Sequence, residues 1–192
     1  FFVAYGFADQ RLKYMGEIEY SFKNKKEHIN EFPIHSLRLH YENDIYQYGQ
    51  TYLYTNKDNI FLNIKRIEDD QIGYLRKAEL SYNREFYNHF SYALILRNKV
   101  YESSRLIPFE IREGGEVRFI SELPQTEIEL SLRYAPGEKF IQKKWDRNPL
   151  LPERPVFTLS HSIAIKDVLN SQFTCHHTEA SARKRFWLSS FG

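Results

Sequence analysis

The sequence predicts an all-β protein, an antiparallel up-and-down meander of about 8–10 strands, either a soluble β-barrel or part of a transmembrane β-barrel. Three observations predict it. Apolar and charged residues alternate with a period of two along nearly the whole chain. Phe 15, Tyr 14 and Trp 2 together give an aromatic share of 16%, and Tyr and Phe favour strands. Many alternating stretches run to about ten residues, where a soluble strand usually has roughly 5–6.

The elements follow in order. Leu12, Tyr14, Gly16, Ile18, Tyr20 and Phe22 alternate with Arg11, Lys13, Glu17, Glu19 and Ser21, and Asn24–Glu27 breaks the pattern as a turn. Leu37, Leu39 and Tyr41 stand against Arg38, His40 and Glu42. Tyr52, Tyr54, Ile60, Leu62 and Ile64 form a third alternating segment, interrupted at Asn56–Asn59, and Arg66–Gln71 reads as a polar turn. Ala78, Leu80 and Tyr82 then alternate with Lys77, Glu79, Ser81 and Asn83. Phe90, Tyr92, Leu94 and Leu96 follow after Tyr87-Asn88-His89, which suits a tight hairpin. Ile128, Leu130, Leu132 and Tyr134 alternate with Glu127, Glu129, Ser131 and Arg133. Phe157, Leu159, Ile163 and Ile165 complete the set, and the chain ends in a basic then aromatic stretch from Arg183 to Gly192.

Ten residues at about 3.3 Å each, tilted near 45°, rise roughly 23 Å, close to the ~25 Å apolar band of an outer-membrane barrel. Tyr46, Tyr48, Tyr87, Phe90, Tyr101, Phe140, Trp145 and Phe157 sit near strand ends, as aromatic girdles do. Periodicity alone does not choose which face is inside. A soluble barrel turns its apolar face in, and a membrane barrel turns it out.

Composition narrows the function classes. Lys+Arg 27 against Asp+Glu 25 leaves a formal net charge of +2, which offers no electrostatic case for binding nucleic acid. One Cys excludes a disulfide framework and a multi-thiolate metal site. Hydrophobic and charged fractions of 42% and 27% exclude a disordered chain. No run approaches 18 apolar residues, so no transmembrane helix is expected. The start at Phe1-Phe2, with no Met and no signal segment, reads as a processed product or a fragment.

Several residue groups could carry chemistry. His176 and Glu179 have a zinc-ligand spacing, but on a strand they point to opposite faces, and a third ligand is needed. Cys175 beside His176 could suggest a nucleophile, yet adjacent strand residues diverge. Glu17/Glu19 and Glu127/Glu129, with Glu122, are spaced like paired hydrolase carboxylates, about 6.6–7 Å apart along a strand. Arg11, Lys13, Arg118, Arg133 and Lys139 lie close in sequence, so cross-strand ion pairs explain the same residues more simply. Arg183-Lys184-Arg185 beside Phe186-Trp187 suits a lipid-headgroup contact or a solvated turn.

An ordered series of motifs adds a resemblance. It comprises Tyr5-Gly-Phe7, Tyr14-Met-Gly16, Tyr20-Ser-Phe22, Asn43-Asp44 with Gly49, and Asn59-Ile-Phe-Leu62. It continues through Leu132-Arg-Tyr-Ala-Pro-Gly-Glu138, Asp146-Arg147, Pro155-Val-Phe-Thr158 and Lys184-Arg-Phe186 before Gly192. The chain resembles a Gram-negative outer-membrane family with an N-terminal carboxypeptidase-regulatory-like domain and a C-terminal β-barrel domain of unknown function. It departs from that family at Ala164 and Asp167, where glycines are usual. The resemblance implies that residues 1–192 are a single β-barrel segment, an interior slice of the barrel domain. It implies the bacterial outer membrane as location and a structural or transport role without catalytic residues, cofactor or metal. The expected partners are outer-membrane lipid and the remaining barrel strands or a partner outer-membrane protein, with no nucleic acid.

Under this reading Leu80, Leu130, Leu132 and Tyr134 face lipid, and Glu79, Glu129, Ser131 and Arg133 face the lumen. The alternatives are a soluble β-barrel module for an apolar ligand and an outer-membrane hydrolase with rim or lumen carboxylates. In either barrel, the edges at Phe2–Phe7 and Trp187–Gly192 are expected to pair outside the chain or with each other.

Overall fold

The computed structural model describes residues 1–7, 9–23, 31–47, 72–104, 108–113, 115–142, 147–150, 154–184 and 186. The segment carrying Tyr52, Tyr54, Ile60, Leu62 and Ile64 lies outside the described residues, as do Asn24–Glu27, Arg66–Gln71 and Trp187–Gly192. The described chain is all-β, with no helix.

Twelve strands follow one another. They are β1 (Phe2–Gly6), β2 (Arg11–Ser21), β3 (His35–Gln47), β4 (Ile72–Glu85), β5 (Phe90–Glu102) and β6 (Phe109–Glu113). Then come β7 (Glu116–Ile120), β8 (Glu122–Tyr134), β9 (Phe140–Gln142), β10 (Arg147–Pro149), β11 (Val156–Ala164) and β12 (Cys175–Arg183). Eight of them form one antiparallel sheet in the order β1-β2-β3-β4-β5-β8-β11-β12. The two other pairs, β6–β7 and β9–β10, are separate hairpins set into the connections on either side of β8. Each main strand therefore lies beside its predecessor, as in a meander. β2, β3, β4, β5 and β8 are 11 to 14 residues long, about twice the usual soluble strand.

The β4–β5 turn shows how local chemistry closes a hairpin. The Phe86 amide donates to the Phe90 carbonyl at 2.9 Å, and the His89 amide donates to the Phe86 carbonyl at 3.2 Å. His89 takes φ 66°, a left-handed conformation that the reversal needs and that costs a non-glycine residue little when a turn fixes it. Asn88 Oδ1 accepts from the Phe90 amide at 3.2 Å.

Register sorts the side chains into two faces. Leu39, Leu80, Leu96, Ile128 and Ile163 form one continuous cross-strand row, and Leu37, Tyr82, Leu94 and Leu130 form the next. On the opposite face, Glu17, His40, Glu79, Arg97 and Glu127 form a row. The apolar rows are exposed: Leu39 51%, Leu80 39%, Leu96 47%, Ile128 41%. The charged side chains are sheltered, Glu79 at 15%, Arg97 at 17% and Glu127 at 10%. All substantial contacts between strands run between sheet neighbours, so no second layer creates this difference. The polar face is the sheltered one (the inner face) and the apolar face the exposed one (the outer face).

Very little of this chain is buried. Among the described residues the buried apolar side chains are Ala135, Val156 and Ala164, all small. The total accessible surface is 14468 Å², where a compact monomer of 23.1 kDa would expose about 9,700 Å². The charged face is held by its own ion pairs, and the apolar face has no cover within the described residues. β1 and β12 each have a single neighbour and do not pair with each other. Among the described residues the edge strand on the C-terminal side is β12; the expected edge at Trp187–Gly192 lies outside them.

Candidate functional site: the charged inner face

The inner face carries a continuous ion-pair cluster across β2, β3, β4, β5 and β8. Arg97, on β5, sits at its centre. Its guanidinium donates to Glu79 on β4 at 2.8 Å and to Glu129 and Glu127 on β8 at 3.0 and 3.3 Å. Lys99 adds a second contact to Glu127 at 2.9 Å. Toward β2, His40 lies 2.9 Å from Glu42 and 3.3 Å from Glu17, and Lys77 pairs with Glu42 at 3.0 Å. Period-two alternation aims all of these side chains at the same face, and antiparallel register sets opposite charges side by side. Partly buried charges are tolerated because they are paired and hydrogen-bonded.

Glu127 and Glu129 share a face, as their spacing predicts, and one carboxylate oxygen of each accepts from Arg97, which makes both members of the ion cluster.

Beside the cluster, toward the β4–β5 turn, the inner face drops into a depression of about 270 Å³ lined by Ser36, Arg38, Asn83, Ala93, Ser131 and Arg133 among others. Ser21, Ser36, Asn83, Ala93, Ser131 and Ser160 form one cross-strand row of small residues there. One end of the face is covered by the segment that carries β9 and β10. Arg147 on β10 donates to both carboxylate oxygens of Glu85 on β4, and its guanidinium lies 4.2 Å from the Phe140 ring. Glu138, 3% exposed, accepts from Arg133 at 2.5 and 2.6 Å. Long-range pairing of this kind leaves no periodic signal, and sequence reasoning missed it.

The outer face changes character at the other end. Arg76 pairs with Glu122 at 2.6 Å and lies 3.9 Å from Glu102, and Arg11 pairs with Glu102 at 2.5 Å. In the turn between β1 and β2, Asp9 accepts from Tyr74 at 2.8 Å and pairs with Lys13 at 2.9 Å. The hydrogen bonds from Lys13 and Tyr74 hold the Asp9 carboxyl well below the usual carboxylate range, at about 2. From Pro124 to Tyr134 the outer-face residues of β8 are Pro124, Thr126, Ile128, Leu130, Leu132 and Tyr134. Thr126 is 1% exposed and fully engaged, accepting from Asn98 and donating to the Val168 carbonyl, each at 2.9 Å.

Leu80, Leu130, Leu132 and Tyr134 all lie on this outer face, Leu80, Leu130 and Tyr134 exposed and Leu132 half-buried. Glu79, Glu129, Ser131 and Arg133 all lie on the inner face. Two proposed girdle residues are placed differently. Tyr46 and Tyr101 alternate with the inner face and pack against each other at 5.2 Å, because β3 and β5 continue past the apolar band and reverse their polarity. Phe140 sits under Arg147, while Phe90 and Phe157 are on the outer face. Tyr48 and Trp145 lie outside the described residues.

The remaining motifs separate in space. His176 stands opposite Ile163 and Glu179 opposite Ser160, on different faces of β12. His176 instead packs against His161 at 5.8 Å. Among the described residues no group of three or more His, Cys, Asp and Glu could hold a metal ion. Cys175 is exposed, its sulfur 3.8 Å from the His176 carbonyl.

The fold and this face define a class: an antiparallel meander with one sheltered charged face and one exposed apolar face. The chain belongs to a family known by the C-terminal domain of a family of unknown function (DUF5686), which it matches over residues 1–192. No match was found among curated proteins or among solved structures.

Proposed function

We propose that this chain is part of a transmembrane β-barrel of the bacterial outer membrane, with a structural or transport role and no catalytic residues. The observation that carries this reading is the inverted polarity of the sheet. Leu37, Leu39, Leu80, Leu94, Leu96, Ile128 and Leu130 are exposed on one face, while the Arg97 cluster is sheltered on the other. In water such a face would associate or aggregate. In lipid it is the ordinary arrangement of a barrel wall.

The open sheet edges support a closed barrel completed by further strands or by a partner outer-membrane protein. Unpaired backbone groups cost several kcal/mol each in hydrocarbon, roughly 2–7 by transfer measurements. The resemblance to outer-membrane proteins with a carboxypeptidase-regulatory-like domain agrees with this location. Neither that domain nor a carboxypeptidase activity follows from it. The lumen of such a barrel would present paired charges and the polar depression at Ser36 and Asn83 to water.

Fractionation of cells expressing the full-length protein tests the proposal. The protein should sediment with outer membranes and resist carbonate extraction. Recovery as a monodisperse, detergent-free monomer with a cooperative melt would overturn the membrane reading and favour a soluble binding module.

A further inference from the structure

The outer face carries a charge that no carboxylate of the described chain answers. Arg84 on β4 shares the parity of Leu80 and Tyr82 and stands between His35 on β3 and Tyr92 on β5. Its Nη1 lies 3.1 and 3.3 Å from the two ring nitrogens of His35, and its guanidinium carbon lies 5.3 Å from the centre of the Phe86 ring. The rings around it form a chain. Phe22 packs on His35 at 4.7 Å, His35 on Tyr82 at 5.6 Å, and Tyr92 on both Tyr82 and Phe86 at 6.0 Å. Arg84 is half-buried, and among the described residues it has no carboxylate partner. An imidazole can share a hydrogen bond with a guanidinium but supplies no negative charge, and a partly buried charge calls for a counter-charge. Arg76 is the contrast. It lies on the same face of β4, eight residues away, and is matched by Glu122 at 2.6 Å. The two arginines bracket Ala78, Leu80 and Tyr82, about 26 Å along the strand, on the order of the ~25 Å apolar band of a barrel wall.

From this geometry we infer that Arg84 and the rings around it bind the phosphate of a membrane lipid, at the level where the apolar band ends. The inference rests on the membrane reading above and names its lipid contact. The contacts with His35 occupy Nη1 and leave Nε and Nη2, the side-on pair of donors, for two phosphate oxygens. Tyrosines favour the headgroup level of a bilayer, where lipid phosphate is the abundant anion. The acyl chains would then run over Leu80 and Leu96, both exposed.

Native mass spectrometry of the detergent-purified full-length protein tests this, with phosphatidylglycerol and the diacylglycerol of the same chains as probes. Phosphatidylglycerol should be retained about fivefold better. Arg84→Gln should bring the two lipids to equal retention. Arg76→Gln removes the same charge at the other end of the band and should leave the preference intact. Excess inorganic phosphate should leave phosphatidylglycerol bound, since a free ion lacks the chains. Equal retention by the parent, or an undiminished preference in Arg84→Gln, overturns the inference. An equal loss in Arg76→Gln would assign the preference to net charge, and displacement by inorganic phosphate would mark a free-anion site; either overturns the lipid assignment. If Arg84→Gln does not fold by circular dichroism, Arg84→Met, which keeps an unbranched stem beside Phe86, supplies the same readout. A parent protein that fails to sediment with membranes sinks the membrane reading and this inference together. A membrane-bound parent whose Arg84→Gln variant keeps the preference sinks this inference alone.

Discussion

Leu80 and Leu96 are directly opposed across β4 and β5, and both remain largely exposed, at 39% and 47%. One residue away, Glu79 and Arg97 are also directly opposed and are sheltered. Two neighbouring pairs on the same strands thus invert the usual preference for leucine inside and charge outside. The inversion continues across β3 and β8, which makes it a property of the sheet and not of one site.

The energetic consequence is strongest at Leu130. On the proposed membrane reading, Leu130→Arg should destabilise the protein in lipid by about 2–4 kcal/mol, the cost of a cation on a lipid face near the midplane. Ser131→Arg, one residue along, should cost less than about 1 kcal/mol, since it adds a charge to a wet face. Urea titration of the protein folded into lipid vesicles measures both.

Arg97 holds three carboxylates, so its removal leaves mutual repulsion. Arg97→Met should lower stability by about 2–4 kcal/mol. Glu79→Gln should cost less, because Arg97 keeps Glu127 and Glu129. Equal effects in the same urea titration would show that the cluster is not centred on Arg97.

The β9–β10 segment is tied over the inner face by Arg147 to Glu85 and by Arg133 to Glu138. Arg147→Ala should raise hydrogen exchange of the amides at 140–142, 148 and 150 about tenfold, with strand content unchanged. Exchange at the level of the parent protein would mean that the pair does not hold the hairpin.

Asp9 binds a proton more weakly in the folded turn, near 2, than at its ordinary value of 3.8. Its hydrogen bonds to Lys13 and Tyr74 therefore stabilise the fold above pH 3.8, and that contribution is lost as the pH falls toward 2. Asp9→Asn should lower stability at pH 6 and match the parent below pH 2. A difference that persists undiminished at pH 2 would assign the effect to something other than this ionisation.

The strands and their faces were legible because alternation is local. The Leu80/Glu79 and Leu130/Ser131 assignments need only a period of two. Which face is sheltered was not legible, since a barrel with its apolar face inward has the same alternation. It emerged from exposure, a property of tertiary structure. Tyr46 and Tyr101 misled for a related reason. They occupy strand ends, where girdle aromatics are expected, but β3 and β5 overrun the apolar band and their parity places them inside. The Arg147–Glu85 and Asp9–Tyr74 contacts join residues 62 and 65 positions apart, and composition and spacing say nothing about such pairs.

Cysteine labelling at adjacent positions tests the central claim most directly. In a Cys175→Ser background, Leu130→Cys and Ser131→Cys would be treated with a water-soluble maleimide in intact membranes. The account predicts labelling at position 131, which lines the inner depression, and protection at position 130, which faces hydrocarbon. Strong labelling at 130 with protection at 131 would contradict it, because the apolar face would then be in water and the charged face enclosed.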